Sequence, residues 1–130
     1  MKEPYKILIV DDNEDLCHSL SDILELKNYK VTSVYNGHQA IEALKNEFFN
    51  VILLDIKMPG LNGIETLQII KKTKLPTNII IITAFANDLL YKEGIQKHEF
   101  NVIQKPIDID LLLNQIEKIL FEEERKNKLC

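Results

Sequence analysis

The 130-residue sequence contains no tryptophan, only two cysteines and no hydrophobic run of membrane-spanning length. Cys17 and Cys130 lie far apart without the spacing of a metal-ligand motif, so we expect reduced thiols and no structural disulfide. The amino-terminal stretch MKEPYKILIV is a short apolar run followed at once by acids, which is typical of neither a signal peptide nor a membrane span. These absences favour a cytoplasmic protein without a membrane partner.

The sequence also lacks an excess of positive charge. Its 16 Lys and Arg residues are outnumbered by 20 Asp and Glu residues, which gives a net charge of −4, and the basic residues are scattered. Direct binding to nucleic acid is therefore not expected, and any role on DNA would need another chain or domain. The 45% of hydrophobic residues is enough to build the core of one soluble domain.

Apolar residues alternate between strand-like and helix-like patterns along the chain. YKILIVDD, NVILLD and NIIIIT are continuous apolar runs typical of strands buried on both faces, and KVTSVY and NVIQKP are weaker strand candidates. A helical pattern follows each strand. It is strong in DIDLLLNQIEKIL, where Asp108 is the predicted N-cap, and weakest in NDLLYKEGIQKHEF. Gly60 and Gly63 are predicted to serve backbone turns only.

Five strands alternating with five helices predict an α/β fold, because each parallel connection needs a crossover helix. The predicted architecture is a single doubly wound five-stranded parallel sheet, (βα)5 and flavodoxin-like, with strand order 2-1-3-4-5. We expect one domain over residues 5–121 and a polar helical extension or tail over residues 122–130. Glu and Lys at helical spacing in the extension favour a solvated helix over a binding tail.

Polar side chains end the four strands that surround the predicted switch point of the sheet, where such folds bind ligands. They are Asp11 and Asp12 after the first strand, Asp55 at the end of the third, Thr83 at the end of the fourth, and Lys105 with Pro106 after the fifth. Each has an ordinary explanation alone, as a helix cap, a strand former or a solvated charge. Together, three carboxylates at one edge repel one another, and we expect them to retain protons or to bind a hard cation such as Mg²⁺.

This combination resembles the receiver domain of two-component response regulators, the CheY-like superfamily. The resemblance runs from Tyr5 to about Phe121 and includes the loop DIKMPGLNG that begins at Asp55, and Ala84 after Thr83. It implies a phosphorylation-dependent signalling switch in which Asp55 accepts a phosphoryl group from a histidine kinase or a histidine phosphotransfer protein. Such a domain catalyses only its own phosphorylation and slow dephosphorylation.

The resemblance also implies roles for single residues. Mg²⁺ would be held by Asp11, Asp12, Asp55 and the backbone carbonyl of Lys57. Thr83 and Lys105 would contact the phosphoryl group, and a cis Lys105–Pro106 bond would direct the ammonium group towards it. Switching, and the access of water to the phosphoryl group, would depend on four positions, which are Ala84, Phe85, Val102 and Pro106. The implied output is a shift of the face formed by the fourth helix, fifth strand and fifth helix, which a downstream effector protein, a missing effector domain or a phosphorylation-dependent homodimer would recognise.

Two features of the sequence specialise this pattern. Val102 stands where receivers usually have an aromatic residue, so we expect coupling from Thr83 to depend on loop movement and on the packing of Val102. Lys57 and Phe85 stand two residues after Asp55 and Thr83, and the resemblance implies that side chains at these positions flank the phosphoryl group and hinder the attack of water. We therefore expect a long-lived phosphoryl group.

Alternatives from other classes start from the same residues. A pseudo-receiver would bind partners without being phosphorylated, although the complete set of acids, Thr83 and Lys105 argues against it. A small phosphatase with an aspartyl nucleophile needs a D-x-D pattern, and Asn13 occupies its second conserved position. A flavodoxin would place the flavin phosphate on the loop after the first strand, where the acids of DDNED repel it.

Overall fold

A computed structural model of the chain describes residues 3–56, 63–84 and 101–129. Strands and helices alternate in the order β1 (Lys6–Val10), α1 (Glu14–Leu26), β2 (Lys30–Val34), α2 (Gly37–Asn46), β3 (Val51–Asp55), α3 (Gly63–Thr73), β4 (Asn78–Thr83), β5 (Asn101–Gln104) and α4 (Ile109–Leu129). The predicted fourth helix falls on residues outside the described ranges, so α4 is the helix that the sequence predicts as the fifth. Within those ranges, no helix combines the length and hydrophobicity needed to cross a bilayer.

The five strands form one parallel sheet in the order β2-β1-β3-β4-β5. This confirms the predicted fold class and strand order. The order follows from the sequence because the most apolar strands occupy the centre, where both faces are covered. All five residues of β3 are buried, whereas every residue of the edge strand β2 is at least partly exposed.

Apolar side chains from successive strand positions build two separate core layers. Ile9, Leu53 and Ile103 face the layer that also contains buried residues of α1 and α4. Leu54 and Ile81 face the other layer, which contains buried residues of α2 and α3. Because side chains alternate along a strand, the face taken by each core residue also fixes the face of the polar residue two positions later.

Side-chain caps fix the starts of three helices. The Asn13 side chain accepts a hydrogen bond from the Leu16 amide, and the Asn36 side chain accepts one from the Gln39 amide. Asp108 accepts one from the Leu111 amide at 3.2 Å, which confirms its predicted role as the N-cap of α4.

The last turns of α4 contact the amino edge of the sheet. The Tyr5 hydroxyl donates a hydrogen bond to the Glu124 carboxylate, and the Asn78 side-chain amide donates one to Glu123 at 3.3 Å. The hydrogen bond to Glu124, together with burial, raises the pKa of Tyr5 to about 12. The spacing of Glu and Lys predicted a solvated helix for residues 122–130 and did not predict these contacts with the sheet.

Gly63, the first residue of α3, packs directly against the end of β3. A Cβ atom at this position would lie 2.1 Å from the Cα of Ile56 and 2.4 Å from the carbonyl oxygen of Asp55. The Gly63 amide also donates a hydrogen bond to the Ile56 carbonyl at 3.2 Å. The prediction that Gly63 serves only a turn was therefore incomplete, because the site also requires the absence of a side chain.

We predict that Gly63→Ala lowers the free energy of unfolding by about 1–3 kcal/mol, because the added methyl group overlaps backbone atoms that cannot rotate away. Urea denaturation followed by circular dichroism measures this change. Gln68→Ala, at an exposed position of the same helix, is the matched control and should change stability by no more than about 0.5 kcal/mol. Equal stability of Gly63→Ala and the wild type would contradict the close packing.

Candidate functional site

The register of the central strands places the predicted acidic residues side by side. Val10 of β1 pairs with Leu54 of β3, so Asp11, one residue further, lies beside Asp55 at the end of β3. Both follow the strand alternation of Ile9 and Leu53 and therefore face the α1 and α4 side of the sheet.

The neighbouring strands end at the same edge. Thr83 of β4 pairs with Gln104 of β5, and the Lys105 amide donates a hydrogen bond to the Thr83 carbonyl at 2.8 Å. Lys105 has the strand parity of Ile103, which belongs to the same core layer as Ile9 and Leu53. The backbone of Lys105 is thus tied to Thr83 while its side chain reaches across the sheet to the acids.

Asp11, Asp12 and Asp55 form one carboxylate cluster. Each contributes an oxygen atom to a group in which all three atoms lie within 4.8 Å of one another. Asp11 and Asp55 are only 4% and 5% exposed, whereas Asp12 is exposed to solvent. Two negative charges with so little access to water are costly unless positive charge or hydrogen-bond donors lie nearby.

Lys105 supplies that positive charge. Its Nζ atom lies 3.0 Å from Oδ2 of Asp11 and 3.3 Å from Oδ2 of Asp55, so one ammonium group joins both buried carboxylates. Burial lowers the pKa of Lys105, but the hydrogen bond to Asp11 and the charges of Asp55 and Asp11 outweigh it, and the pKa is raised overall. Lys105 therefore stays charged at neutral pH.

The turn after β1 is held by Asp11 and Asn13. Oδ1 of Asp11 accepts a hydrogen bond from the Asn13 amide at 2.9 Å, and the Asn13 side chain in turn caps α1. Asp11 is thereby anchored on one oxygen while its second oxygen contacts Lys105. The sequence-based prediction concerned Asn13 only as a departure from a D-x-D motif. The signal that it missed is an asparagine directly before a helical pattern.

Cys17 lies beneath the site as a free, fully buried thiol. Its Sγ atom is 3.4 Å from the carbonyl oxygen of Asp11, at the distance of a weak S–H hydrogen bond. Burial, followed by the nearby charge of Asp11, raises the pKa of the thiol to about 11. The thiol therefore stays protonated, and packing is its role here.

The remaining predicted residues lie around this edge. Thr83 is fully buried and Ala84 is exposed. Val102 is half-buried against the layer of α2 and α3. The peptide bond between Lys105 and Pro106 is cis, as the resemblance implied. Lys57 and Phe85 lie outside the described residues.

The cluster has the chemistry of a site for a hard cation. Mg²⁺ prefers oxygen ligands and is usually held by one or two carboxylates with water completing its shell. Within the described part of the chain, the carboxylate of Asp12 makes no hydrogen bond or ion pair to another residue. It adds a third negative charge that Lys105 does not contact, so a divalent cation would complete the charge balance.

Comparison with known proteins identifies the family. The family profile described as the response regulator receiver domain matches residues 7–117. The chain is 37% identical over 116 residues to the transcriptional regulatory protein CpxR homolog of Haemophilus influenzae, a match covering 88% of this chain and 50% of that protein. The chain spans only part of such relatives, from 26% of the length of the transcriptional regulatory protein ZraR of Salmonella typhimurium to 56% of that of the transcriptional regulatory protein CrdR of Helicobacter pylori.

Solved structures agree with this assignment. A response regulator receiver domain protein (CheY-like) from Methanospirillum hungatei is 30% identical, with a TM-score of 0.82 over 95% of this chain and 98% of that chain. The response regulator TrrA from Thermotoga maritima, solved in complex with Mg²⁺ and beryllium fluoride, is 27% identical, with a TM-score of 0.77 over 88% of this chain and 98% of that chain. Because the family profile covers most of the sequence, the chain belongs to the response regulator receiver domain family.

Proposed function

We propose that Asp55 accepts a phosphoryl group from a histidine kinase or a histidine phosphotransfer protein, and that this makes the chain a signalling switch. The observation that carries the proposal is the buried Asp55 carboxylate held 3.3 Å from the Lys105 ammonium group within a cluster of three acids. The related TrrA structure, which contains Mg²⁺ and a beryllium fluoride group, supports the same chemistry.

In the proposed reaction, one carboxylate oxygen of Asp55 attacks phosphorus. The P–O bond to Asp55 forms while the P–N bond to the donor histidine breaks, and the electron pair leaves with the imidazole. Lys105 neutralises charge that spreads over the phosphoryl oxygens. Asp11, Asp12, Asp55 and the Lys57 carbonyl would hold Mg²⁺, which supplies additional positive charge at the same place when it is bound.

The product requires new hydrogen-bond donors, because a phosphoryl group brings three acceptor oxygens and about −1.5 to −2 charges. We assign this task to the Thr83 hydroxyl and the Ala84 amide, at the end of β4. The Thr83 carbonyl already binds the Lys105 amide, so a shift of this segment would also move the end of β5 next to Pro106. Val102, in β5, would transmit this shift to the face formed by the predicted fourth helix, the fifth strand and the fifth helix.

The proposed partners rest on the family of the chain. Because related regulators are longer, we propose that the output reaches an effector domain or a downstream effector protein, with a phosphorylation-dependent homodimer as a further form. We propose no direct contact with nucleic acid and place the reaction in the cytoplasm. Slow loss of the phosphoryl group, expected from Lys57 and Phe85, belongs to the same proposal.

Incubation with acetyl phosphate and Mg²⁺ should add one phosphoryl group to the wild type, as measured by intact mass. Asp55→Asn should add none, because an amide is not a nucleophile, and EDTA should abolish the gain. Asp108→Asn is the matched control, since asparagine also caps helices, and it should be phosphorylated normally. No gain by the wild type under any condition would favour the pseudo-receiver, whereas phosphorylated Asp55→Asn would place the acceptor elsewhere.

Lys105→Met should slow phosphorylation and lower the free energy of unfolding by about 1–2 kcal/mol at neutral pH, because two buried carboxylates lose their counter-ion. The folded-state pKa of Lys105 is raised, so its contribution is present below the unfolded-state pKa of about 10.4 and is lost as pH rises through the folded-state value. Chemical denaturation of both proteins between pH 7 and alkaline pH measures this. A stability difference that does not shrink at alkaline pH would contradict the assignment.

Val102→Ala should permit normal phosphorylation of Asp55 but reduce the spectral changes that phosphorylation causes in β5 and α4, because a smaller side chain transmits less displacement. Amide chemical shifts recorded before and after treatment with acetyl phosphate measure the effect. Val31→Ala, at a half-buried position of the distant strand β2, should leave those changes intact. Unchanged responses in Val102→Ala would rule out this route.

A further inference from the structure

An apolar groove lies between the carboxyl-terminal halves of α2 and α3 and encloses about 540 Å³. Ile41 and Leu44 of α2, Ile69 of α3, and Leu75 after it are among its lining residues. A neighbouring depression shares Leu44 and Leu75 and extends the surface to Phe48. Leu75 is 38% exposed and Phe48 is 46% exposed, so this surface keeps large apolar side chains in contact with water.

One lysine lines this groove and a second directly precedes the lining residue Thr73 in the sequence, although the chain as a whole is acidic. Lys45 lines it directly, and Lys72 is exposed in the last turn of α3. Glu47 follows α2, but the Lys6 ammonium group lies 2.6 Å from its carboxylate and compensates its charge. Lysines in a last helical turn also interact favourably with the helix dipole. Interaction with the helix dipole would explain the lysines, but it would not explain the exposed apolar side chains of the groove.

We propose that this groove docks an amphipathic helix of a partner protein whose apolar residues enter the groove and whose acidic residues face Lys45 and Lys72. A groove between two helices accepts apolar side chains spaced at i, i+3, i+4 and i+7. Apolar patches with polar rims mark protein interaction sites, and complementary charges fix the orientation of the partner. A second copy that presented the same groove would bring lysines against lysines, which disfavours a symmetric dimer.

The groove and the phosphorylation site lie at opposite edges of the sheet. β3 begins at Val51, shortly after α2 ends, and reaches the acidic site with Asp55. Its five residues extend over roughly 13–17 Å at about 3.3 Å per residue. Docking in the groove therefore does not cover the acidic site, and we expect it to occur with or without phosphorylation. This inference does not depend on the proposed function.

Fluorescence anisotropy with two labelled helical peptides of about 14 residues tests the proposal. Both carry Leu at i, i+3, i+4 and i+7, one with Glu on the flanks of this stripe and the other with Lys. The full chain should bind the Glu peptide and reject the Lys peptide. Lys45→Glu combined with Lys72→Glu should reverse this preference, because the charges at the rim are reversed.

Two further variants locate the binding surface. Ile69→Glu should weaken binding of the Glu peptide by about tenfold or more, whereas Gln68→Glu, on the exposed side of the same helix, should bind normally. Circular dichroism and a cooperative urea transition confirm that Ile69→Glu is folded. Asp55→Asn should still bind the peptide, so failure of the phosphorylation chemistry and failure of docking are distinguishable.

Equal affinity for the two peptides, or full binding by folded Ile69→Glu, would overturn the proposal. Sedimentation velocity of the protein alone provides the remaining test. A monomer at all concentrations supports a separate partner. Concentration-dependent association that Ile69→Glu abolishes would overturn it in favour of a second copy as the occupant.

Discussion

The ion pairs of Lys105 with Asp11 and Asp55 are the constraint on which the site depends. Both carboxylates are almost completely buried, and the Lys105 ammonium group contacts them at 3.0 and 3.3 Å. A buried ion pair contributes little net stability, but removing one partner leaves an uncompensated charge. The order of the strands, the turn after β1 and the junction of β5 with β4 must all be correct for this contact to form. The fold thus brings two buried carboxylates and their counter-ion together at the carboxyl edge of the sheet.

This cluster of acids around a lysine suits phosphoryl transfer. Within residues 3–56, 63–84 and 101–129, one lysine contacts two of the three clustered acids. Such a cluster favours a divalent cation, and an ammonium group already beside Asp55 can neutralise charge on a phosphoryl group. The opposite edge has different properties, with α4 hydrogen-bonded to the starts of β1 and β4 and an apolar groove between α2 and α3. We infer that the two edges have different functions. Phosphoryl transfer takes place at one, and docking that does not depend on phosphorylation takes place at the other.

The sequence predicted the sheet because buried parallel strands are continuous apolar runs, and NIIIIT and NVILLD cannot be solvated on either face. It also placed Asp11, Asp55 and Lys105 at one edge, since parallel strands share their carboxyl ends. It did not reveal how close Gly63 comes to the Asp55 backbone, nor the contacts of Glu123 and Glu124 with the sheet. Those features depend on helix packing distances and angles, which residue periodicity does not encode.

Chemical trapping can show directly whether Asp55 is the nucleophile. The protein is incubated with acetyl phosphate and Mg²⁺ and then treated with borohydride, which reduces an acyl phosphate to an alcohol and converts the modified aspartate to homoserine. Peptide mass spectrometry locates the converted residue. We predict homoserine at position 55 and unmodified Asp11 and Asp12. Homoserine at another aspartate, or none after treatment in the presence of Mg²⁺, would show that Asp55 is not the phosphoryl acceptor.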